Sequence, residues 1–306
     1  MMRRIALILC SLVIACLIVS AFVGHQIGPS LLHPAKRPLD AAQLAYVGEV
    51  VSETRATRSD FEVRATDGAI LRGWKMKTAA PNESWVLLLH GVGDNRAGTA
   101  TFARFLLPAG YGVLMMDSRA QGVSGGDAVT YGWLERRDIS QIISTLKASE
   151  TVQHVFVLGI SMGAAIALQA AGSDTRIEGV VAEDPLASLR EVAYDYAGFQ
   201  RSVFLGKTLF RPAAIAAIRT LAATQQIDPY QVAPEYSVAQ RGFPILLICG
   251  TEDQTIPCRH ADSIFAAAEG PKQLWIVKGA AHASAYGKAP TEYKLRVLEF
   301  FGDLSH

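Results

Sequence analysis

Six short apolar runs are the feature of this sequence that most limits its fold. They lie at Trp85–Leu89, Gly112–Met116, Val155–Leu158, Ile177–Ala182, Ile245–Cys249 and Gln273–Val277. Continuous apolar runs of this length are typical of strands that are buried on both faces of a parallel sheet. Stretches with a helical pattern alternate with them, at about 96–107, 132–148, 162–171, 258–268 and 291–302. The alternation predicts an α/β domain with functional residues at the carboxyl ends of its strands.

A β-hairpin is predicted ahead of these runs. Phe61–Thr66 and Ala69–Trp74 flank the dipeptide Asp67-Gly68, and Asp-Gly between two strand-like segments is a strong turn signal. The hairpin and the six runs together give eight predicted strands.

The charge balance and the cysteines exclude several classes of protein. The 306 residues include 29 Lys+Arg and 28 Asp+Glu, so no basic footprint for nucleic acid is expected. Four cysteines without a CxxC pair predict neither a disulfide-dense scaffold nor structural zinc. Cys249 ends a predicted strand and Cys258 begins a helix. An exported location permits a disulfide between them, but a strand-end cysteine is more often a buried free thiol.

The N-terminus predicts a membrane segment. Ile5–Val23 carries no charge, and its nineteen residues span roughly 28 Å as a helix, about the thickness of the bilayer core. Arg3 and Arg4 precede it, which places the N-terminus in the cytoplasm and the rest in the periplasm or outside the cell. Residues 1–23 are therefore predicted as a signal anchor, and the proline-containing residues 24–45 as a linker.

Three other interpretations of this segment remain open. Val19-Ser20-Ala21 suits a cleavage site, in which case the protein would be secreted. A lipoprotein signal at Cys16 ranks lower, because the residues after it stay apolar where a polar tether is expected. A buried core helix is the weakest alternative, because the segment has no amphipathic stripe.

One interval breaks the alternation of strands and helices. From Pro185 to Phe243 there are 59 residues between two predicted strands, which is too long for a simple crossover loop. Helical patterns near 187–197 and 203–224 predict a helical insertion over the strand ends. We therefore expect residues 185–243 to form a lid on a catalytic domain that spans 46–303.

A candidate nucleophile lies at Ser161. Gly159–Gly163 reads G-I-S-M-G and stands between a predicted strand and an alanine-rich helix, the context that G-x-S-x-G requires for a nucleophilic serine. Glycines two positions away on either side remove side chains that would collide in the sharp turn. The alternative is an ordinary glycine-rich turn.

A serine nucleophile requires a base and an orienting carboxylate. Among the seven histidines, His282 lies in a loop of small residues after the last predicted strand, where it can reach other strand ends. His90 is assigned to loop architecture, and a solvated or packing role is expected for His260. His282 is therefore the predicted base, with a surface-loop histidine as the alternative.

The carboxylate is predicted at Asp253, four residues after the strand that ends at Cys249. Glu183 and Asp184, at the end of the preceding strand, are the competing candidates. An oxyanion needs backbone donors, which are predicted at Met162, the residue after the serine, and at Val92. The loop that contains Val92 has the alternative role of capping the next helix through Asp94 or Asn95.

With these motifs, the chain resembles the α/β-hydrolase superfamily over about residues 46–303, including its Ser…Asp…His order. It is more narrowly similar to bacterial serine hydrolases of the serine aminopeptidase-like or Xaa-Pro dipeptidyl-peptidase-like type. The matching segments are His90–Arg96 (H-G-x-x-x-N-R), Gly159–Gly163, Gly250–Pro257 and Gly279–His282. The tail from Tyr286 to Phe301 also resembles the closing helix of that group.

The resemblance implies an eight-stranded, mostly parallel sheet, the triad Ser161, Asp253 and His282, and oxyanion donors at Val92 and Met162. One position departs from the pattern. Relatives of this type carry D-x-R-G-x-G-x-S after the fourth strand, whereas Ala120 occupies the place of the first glycine. That loop shapes the rim of the pocket, so this departure bears on the shape of the substrate that the pocket accepts.

The expected function is hydrolysis of carboxylic esters or related acyl compounds by an exported, membrane-tethered serine hydrolase. A small acyl molecule and the membrane are the expected partners, without a metal, an organic cofactor or nucleic acid; no oligomeric state is predicted. Three alternatives stay open. A peptidase or amidase would use the same triad, acyl transfer would need a lid that excludes water, and a non-catalytic membrane-anchored binding module would use only the fold.

Overall fold

A single eight-stranded sheet forms the centre of the protein. The computed structural model describes residues 2–224 and 226–305, and within the first helix the side chains of Arg4, Ser11 and Ile14 onward. The strands are β1 (Thr57–Arg64), β2 (Ile70–Lys77), β3 (Ser84–Leu89), β4 (Gly112–Met116), β5 (His154–Ile160), β6 (Ile177–Glu183), β7 (Ile245–Gly250) and β8 (Lys272–Val277).

The sheet has the order β1-β2-β4-β3-β5-β6-β7-β8. β1 and β2 form the predicted hairpin, and β2 also runs antiparallel to β4. All later pairings are parallel. The prediction of an eight-stranded, mostly parallel sheet is therefore confirmed. Because the strands from β3 onward share one direction, their carboxyl ends meet at one edge.

Twelve α-helices are described around the sheet. They are α1 (Met2–Ile27), α2 (Ala41–Thr54), α3 (Ala100–Leu106), α4 (Glu135–Ser149), α5 (Met162–Ser173), α6 (Leu189–Ala197), α7 (Val203–Lys207), α8 (Arg211–Ala223), α9 (Pro234–Gln240), α10 (Arg259–Ala267), α11 (Ala285–Lys288) and α12 (Pro290–Leu304).

The two faces of the sheet are covered by separate apolar cores. On one face, residues of α4, α5 and α10 pack against the strands, among them Ile142, Ile166 and Ile264. On the other face, α2, α3 and α12 contribute side chains such as Val50 and Phe301. The central strands carry apolar residues on both faces, which explains their continuous apolar runs.

The helical insertion between β6 and β7 contains α6, α7, α8 and α9. The single helix suggested by the pattern over 203–224 is two helices, interrupted at 208–210. Leu189, Ile218 and Leu221 of the insertion form a small core with Leu32, which follows α1. The insertion therefore packs on the N-terminal segment. Its action as a lid stays a prediction.

Cys249 and Cys258 form a disulfide, with Cα atoms 5.4 Å apart. Of the two states that the sequence left open, the structure therefore has the disulfide and not the free thiol. The loop after β7 turns back on itself, so that the residue before α10 faces the end of β7. The spacing along the chain did not predict this disulfide, because a separation of nine residues is compatible with bonded and with free thiols.

The stretch predicted as a linker, 24–45, contains regular structure. It holds the last residues of α1, a 3₁₀-helix over Gly28–Leu32 and the start of α2. α2 begins early because Asp40 forms a capping box, in which its side chain accepts from the Gln43 amide and the Gln43 side chain accepts from the Asp40 amide. The prolines that suggested a linker lie before this cap.

α2 ends at Thr54, and the next residue, Arg55, has φ 54°. A side chain in this left-handed conformation costs free energy that glycine avoids. We expect Arg55→Gly to raise the free energy of unfolding by about 0.5–1 kcal/mol. Ala45→Gly, an exposed position inside α2, should instead lower it by about 0.5–1 kcal/mol. Urea unfolding of the two variants measures both changes, and equal effects would contradict the explanation.

Candidate active site

Ser161 lies in a sharp turn between β5 and α5. Its backbone has φ 53° and ψ −115°, a strained conformation for a residue with a side chain. The turn is tight because both glycines of the motif are in close contact with backbone. A Cβ on Gly159 would lie 2.3 Å from the Gly163 carbonyl oxygen, and one on Gly163 would lie 2.3 Å from the Leu89 carbonyl oxygen. Glycine is therefore required at both positions.

His282 joins Ser161 to Asp253. Its Nε2 lies 2.8 Å from Ser161 Oγ, and its Nδ1 lies 2.6 Å from Asp253 Oδ2. With Nδ1–H donating to the carboxylate, Nε2 is free to accept the serine proton. The other Asp253 oxygen accepts hydrogen bonds from the amides of Thr255 and Ile256, which fix the carboxylate towards the imidazole. The three predicted residues thus form one hydrogen-bonded chain.

Asp184, the competing candidate, lies farther from the imidazole. Its Oδ2 is 3.7 Å from His282 Nδ1. Its carboxylate accepts hydrogen bonds from the amides of Gly250 and Ala283, so it holds the loops that carry Asp253 and His282. Burial, together with the nearby charges of Glu183 and Asp253, raises the pKa of Asp184 to about 7. The geometry therefore favours Asp253 as the partner of His282.

Glu183, the other competitor, faces a different part of the protein. Its side chain accepts hydrogen bonds from the Tyr293 hydroxyl and the Ala285 amide. Burial raises the pKa of this carboxyl, while its backbone carbonyl accepts from the Ser161 amide. Glu183 thus connects α11 and α12 to the serine turn.

The same small region contains the one group of described residues that could hold a metal ion. Ligand atoms of Asp184, Asp253 and His282 lie within 4.8 Å of one another. Both ring nitrogens of His282 are already engaged, one with a carboxylate and one with the serine hydroxyl. The cluster is therefore accounted for by the hydrogen-bonded chain.

The predicted oxyanion donors flank the serine. Met162 is the first residue of α5, where helix amides have no acceptor within the helix. The loop after β3 also passes close to the serine, because a Cβ on Gly91 would lie 3.6 Å from Ser161 Cβ. Within that loop, the amide of Gly93 already donates to Gln121. Val92 lines the same cavity as Ser161 and Met162.

The capping role considered for this loop is present, while the oxyanion role of Val92 stays a prediction. Asn95 caps the following 3₁₀-helix by accepting from the Ala97 amide. His90 is buried and holds the loop: its ring accepts from the Ser118 amide and donates to the Gly91 carbonyl oxygen. His90 is thus part of the loop architecture, as predicted.

The loop after β4 is built around Asp117. Its carboxylate accepts from the Arg96 amide at 2.6 Å, from the Arg96 guanidinium at 2.8 Å and from the Val123 amide at 2.9 Å. Ala120, at the position where the resemblance implies a glycine, has φ 56°. The loop therefore keeps the left-handed turn that glycine would favour, and adds a methyl group.

Sequence reasoning did not assign a specific contact to His260. The ring is fully buried. Its Nε2 lies 2.6 Å from Oδ2 of Asp195 in α6, and its Nδ1 accepts from the Ala187 amide. His260 therefore attaches the helical insertion to α10 near the site. A buried histidine beside an acidic residue far along the chain leaves no local pattern, so spacing alone could not reveal it.

A cavity of about 1210 Å³ opens over Ser161 and His282. Its walls come from the insertion, including Leu189 and Phe210, and from α1, including Val19 and Val23. The participation of α1 was not predicted. A signal was present, because small residues recur at every fourth position through Ser20, Gly24 and Gly28, the spacing of a close helix contact.

Solved structures share this arrangement of strands and helices. The esterase Pf2001 of Pyrococcus furiosus superimposes with a TM-score of 0.71, covering 90% of this chain and 100% of the esterase at 23% identity. The chain has the α/β-hydrolase fold. An acylaminoacyl peptidase of Pyrococcus horikoshii gives a TM-score of 0.63 at 17% identity, covering 81% of this chain and 42% of the peptidase. Both comparisons show this fold.

Sequence comparisons agree with that assignment. A family model described as serine aminopeptidase S33 matches residues 80–211, the part that holds the loop after β3 and Ser161. The uncharacterized protein YqkD of Bacillus subtilis is 27% identical over 258 residues, covering 81% of this chain and 80% of YqkD. The uncharacterized protein YfhR of Escherichia coli K12 is 24% identical over 246 residues, covering 78% of each chain.

The surroundings of His282 determine its protonation. Burial lowers the pKa of the imidazole, but the hydrogen bond and charge of Asp253 outweigh burial and raise it above the usual 6.5. The neutral form needed to accept a proton therefore prevails only above that raised pKa.

We expect NMR titration to show a His282 pKa above 6.5. Asp253→Asn should lower it more than Asp184→Asn, and the opposite ranking would contradict the geometry.

Proposed function

We propose that this protein is a serine hydrolase that cleaves carboxylic esters through an acyl-enzyme. The observation that supports the proposal most directly is the position of His282, whose two ring nitrogens lie within hydrogen-bond distance of Ser161 and Asp253. A serine hydroxyl becomes an effective nucleophile when a base held in this way takes its proton.

The proposed reaction uses each of these groups in turn. Ser161 Oγ attacks the ester carbonyl carbon, and its proton passes to His282 Nε2. The amides of Val92 and Met162 donate hydrogen bonds to the resulting oxyanion. The bond to the leaving alcohol breaks as His282 returns the proton to it. Water, deprotonated by His282, then attacks the acyl-enzyme, which releases the carboxylic acid and restores Ser161.

The cavity favours an apolar acyl group over the charged amino terminus of a peptide. Apart from the site itself, the acidic residue among the described lining residues is Asp94, which lies 3.4 Å from Arg37. An aminopeptidase needs a free carboxylate to bind its substrate's ammonium group. The insertion instead lines the cavity with residues such as Leu189, Val192 and Phe210.

We also propose that α1 tethers the enzyme to a membrane, with the N-terminus in the cytoplasm and the catalytic domain exported. Among the described residues, Ile14–Leu32 is long and apolar enough to cross a bilayer, and only 17% of it is buried. A core helix would be mostly buried. Arg4 supports the orientation, while the side chain of Arg3 lies outside the described ones.

A peptidase is the second candidate function. The match to a serine aminopeptidase model and the fold of the P. horikoshii acylaminoacyl peptidase favour it, and the same three residues would cleave an amide. A matched panel of an ester, an amide and an aminoacyl-amide that share one acyl group separates the two functions. We expect the ester to have the highest kcat/KM. Preference for the aminoacyl-amide would make the protein a peptidase.

The nucleophile can be tested with a fluorophosphonate probe on the full-length protein. We expect one covalent adduct at Ser161, located by mass spectrometry, and none in Ser161→Ala. Ester hydrolysis by Ser161→Ala should fall at least a thousandfold. Ser173→Ala, at the far end of α5, is the control and should be labelled normally. Labelling that survives in Ser161→Ala would refute the assignment.

The roles of the two aspartates can be separated by kinetics. Asp253→Asn removes the acceptor that fixes the imidazole tautomer, so kcat should fall by about 10³–10⁴. Asp184→Asn leaves the hydrogen bond between His282 and Asp253 in place and should cost about tenfold or less. Both variants are measured on the same ester, with far-ultraviolet circular dichroism to verify folding. A larger loss for Asp184→Asn would assign the acid to the end of β6.

A further inference from the structure

The first helix forms a wall of the cavity above Ser161. Seven of its residues line the cavity: Ala15, Cys16, Val19, Ser20, Val23, Gly24 and Ile27. From Ala15 to Ile27 the helix rises by about 18 Å. Most of this length lies within Ile5–Val23, the segment proposed to cross the membrane. The cavity therefore extends from the catalytic residues along the anchor towards the bilayer.

Helix α1 is held against α8 of the insertion by direct backbone contact. A Cβ on Gly24 would lie 2.0 Å from the carbonyl oxygen of Ala213, and one on Gly28 would lie 2.8 Å from that of Ala217. Small residues at this spacing let two helices approach closely. His25 also lies 2.9 Å from the Thr220 hydroxyl. The anchor and the insertion thus form one packed unit, and the cavity lies between that unit and the sheet.

The outer surface of this unit carries large apolar side chains. Phe22 of α1 is 62% exposed and Phe204 of the insertion is 69% exposed, and neither lines the cavity; Phe199, also 69% exposed, lies in the cavity wall. Large apolar side chains in such a group mark a contact with membrane or protein. Because α1 packs on α8, the exposed side chains of the insertion lie beside a helix that itself requires a lipid environment.

The charges of the insertion fit the surface of a bilayer. Residues 196–227 contain four basic side chains and no acidic one, and all four are exposed: Arg201, Lys207, Arg211 and Arg219. Lys207 is paired with Glu191 of α6 at 2.7 Å, so the three arginines are the cations that face anionic lipid. Long basic side chains beside exposed aromatic ones are typical of segments that lie in the interface, where cations meet anionic phosphate groups. The insertion therefore has the composition of a membrane-docked element.

We propose that the substrate is a long-chain acyl ester that resides in the bilayer, and that it enters the cavity between α1 and the catalytic domain. This inference rests on the proposed esterase function. The acyl chain occupies the space along α1, which places the ester carbonyl at Ser161. Water cleaves the acyl C–O bond through the acyl-enzyme and yields a fatty acid and the lipid alcohol. The cavity volume exceeds the range of about 300–1,000 Å³ for ordinary ligand sites, which leaves room for a long chain.

Two adjacent residues of α1 provide a matched test. Both are exposed, but Val23 lines the cavity and Phe22 does not. The full-length protein is reconstituted into phosphatidylcholine vesicles that contain anionic phosphatidylglycerol. Hydrolysis is measured for a bilayer-resident palmitoyl ester and for the soluble butyryl ester of the same alcohol. We expect Val23→Trp to fill part of the cavity and to lower the palmitoyl-to-butyryl ratio of kcat/KM at least fivefold. Phe22→Trp should leave this ratio unchanged.

Several outcomes would overturn the inference while esterase activity stands. They are an unchanged ratio in Val23→Trp, an equal fall in both tryptophan variants, or wild-type hydrolysis of the butyryl ester alone. Covalent labelling at Ser161 is followed in every sample to verify that the site is intact. Absence of labelling and of hydrolysis of either ester would instead refute the proposed function, and the inference with it.

Discussion

The contact between the start of α5 and the end of β3 is the constraint on which the site depends. Gly163 lies against the carbonyl oxygen of Leu89 so closely that no side chain fits there. This contact allows the chain to reverse sharply after β5, and it forces Ser161 into a backbone conformation that few residues adopt. The strain is offset by the parallel strands on either side and by the hydrogen bond from the Ser161 amide to Glu183.

The neighbouring strand ends complete the site because they run in the same direction. β7 presents Asp253, and the loop after β8 presents His282. Asp184, at the end of β6, joins these two loops through the amides of Gly250 and Ala283. Three carboxylates therefore lie at these strand ends, and each has a different role. Asp253 faces the ring, Asp184 fixes the loops, and Glu183 connects the serine turn to α12.

The helical insertion forms part of the wall of the cavity above the site. His260 and Asp195 hold its first helix to α10, and close contacts at Gly24 and Gly28 hold its longest helix to the N-terminal segment. Helix α1, which we propose anchors the chain in a membrane, is thereby part of the wall above Ser161. In this arrangement the proposed membrane attachment and the shape of the cavity are not independent, since one helix contributes to both.

The sequence by itself determined the sheet, the position of the candidate nucleophile and the order of the three candidate residues, because these depend on local patterns. Strand runs, G-x-S-x-G and small-residue loops all act over a few neighbouring positions. Only the tertiary structure decided between Asp253 and Asp184, joined Cys249 to Cys258, and placed α1 at the cavity. Each of these depends on the distance between segments that are remote along the chain or that turn back on themselves. Such distances follow from how the loops and helices pack on the sheet, and no local pattern encodes them.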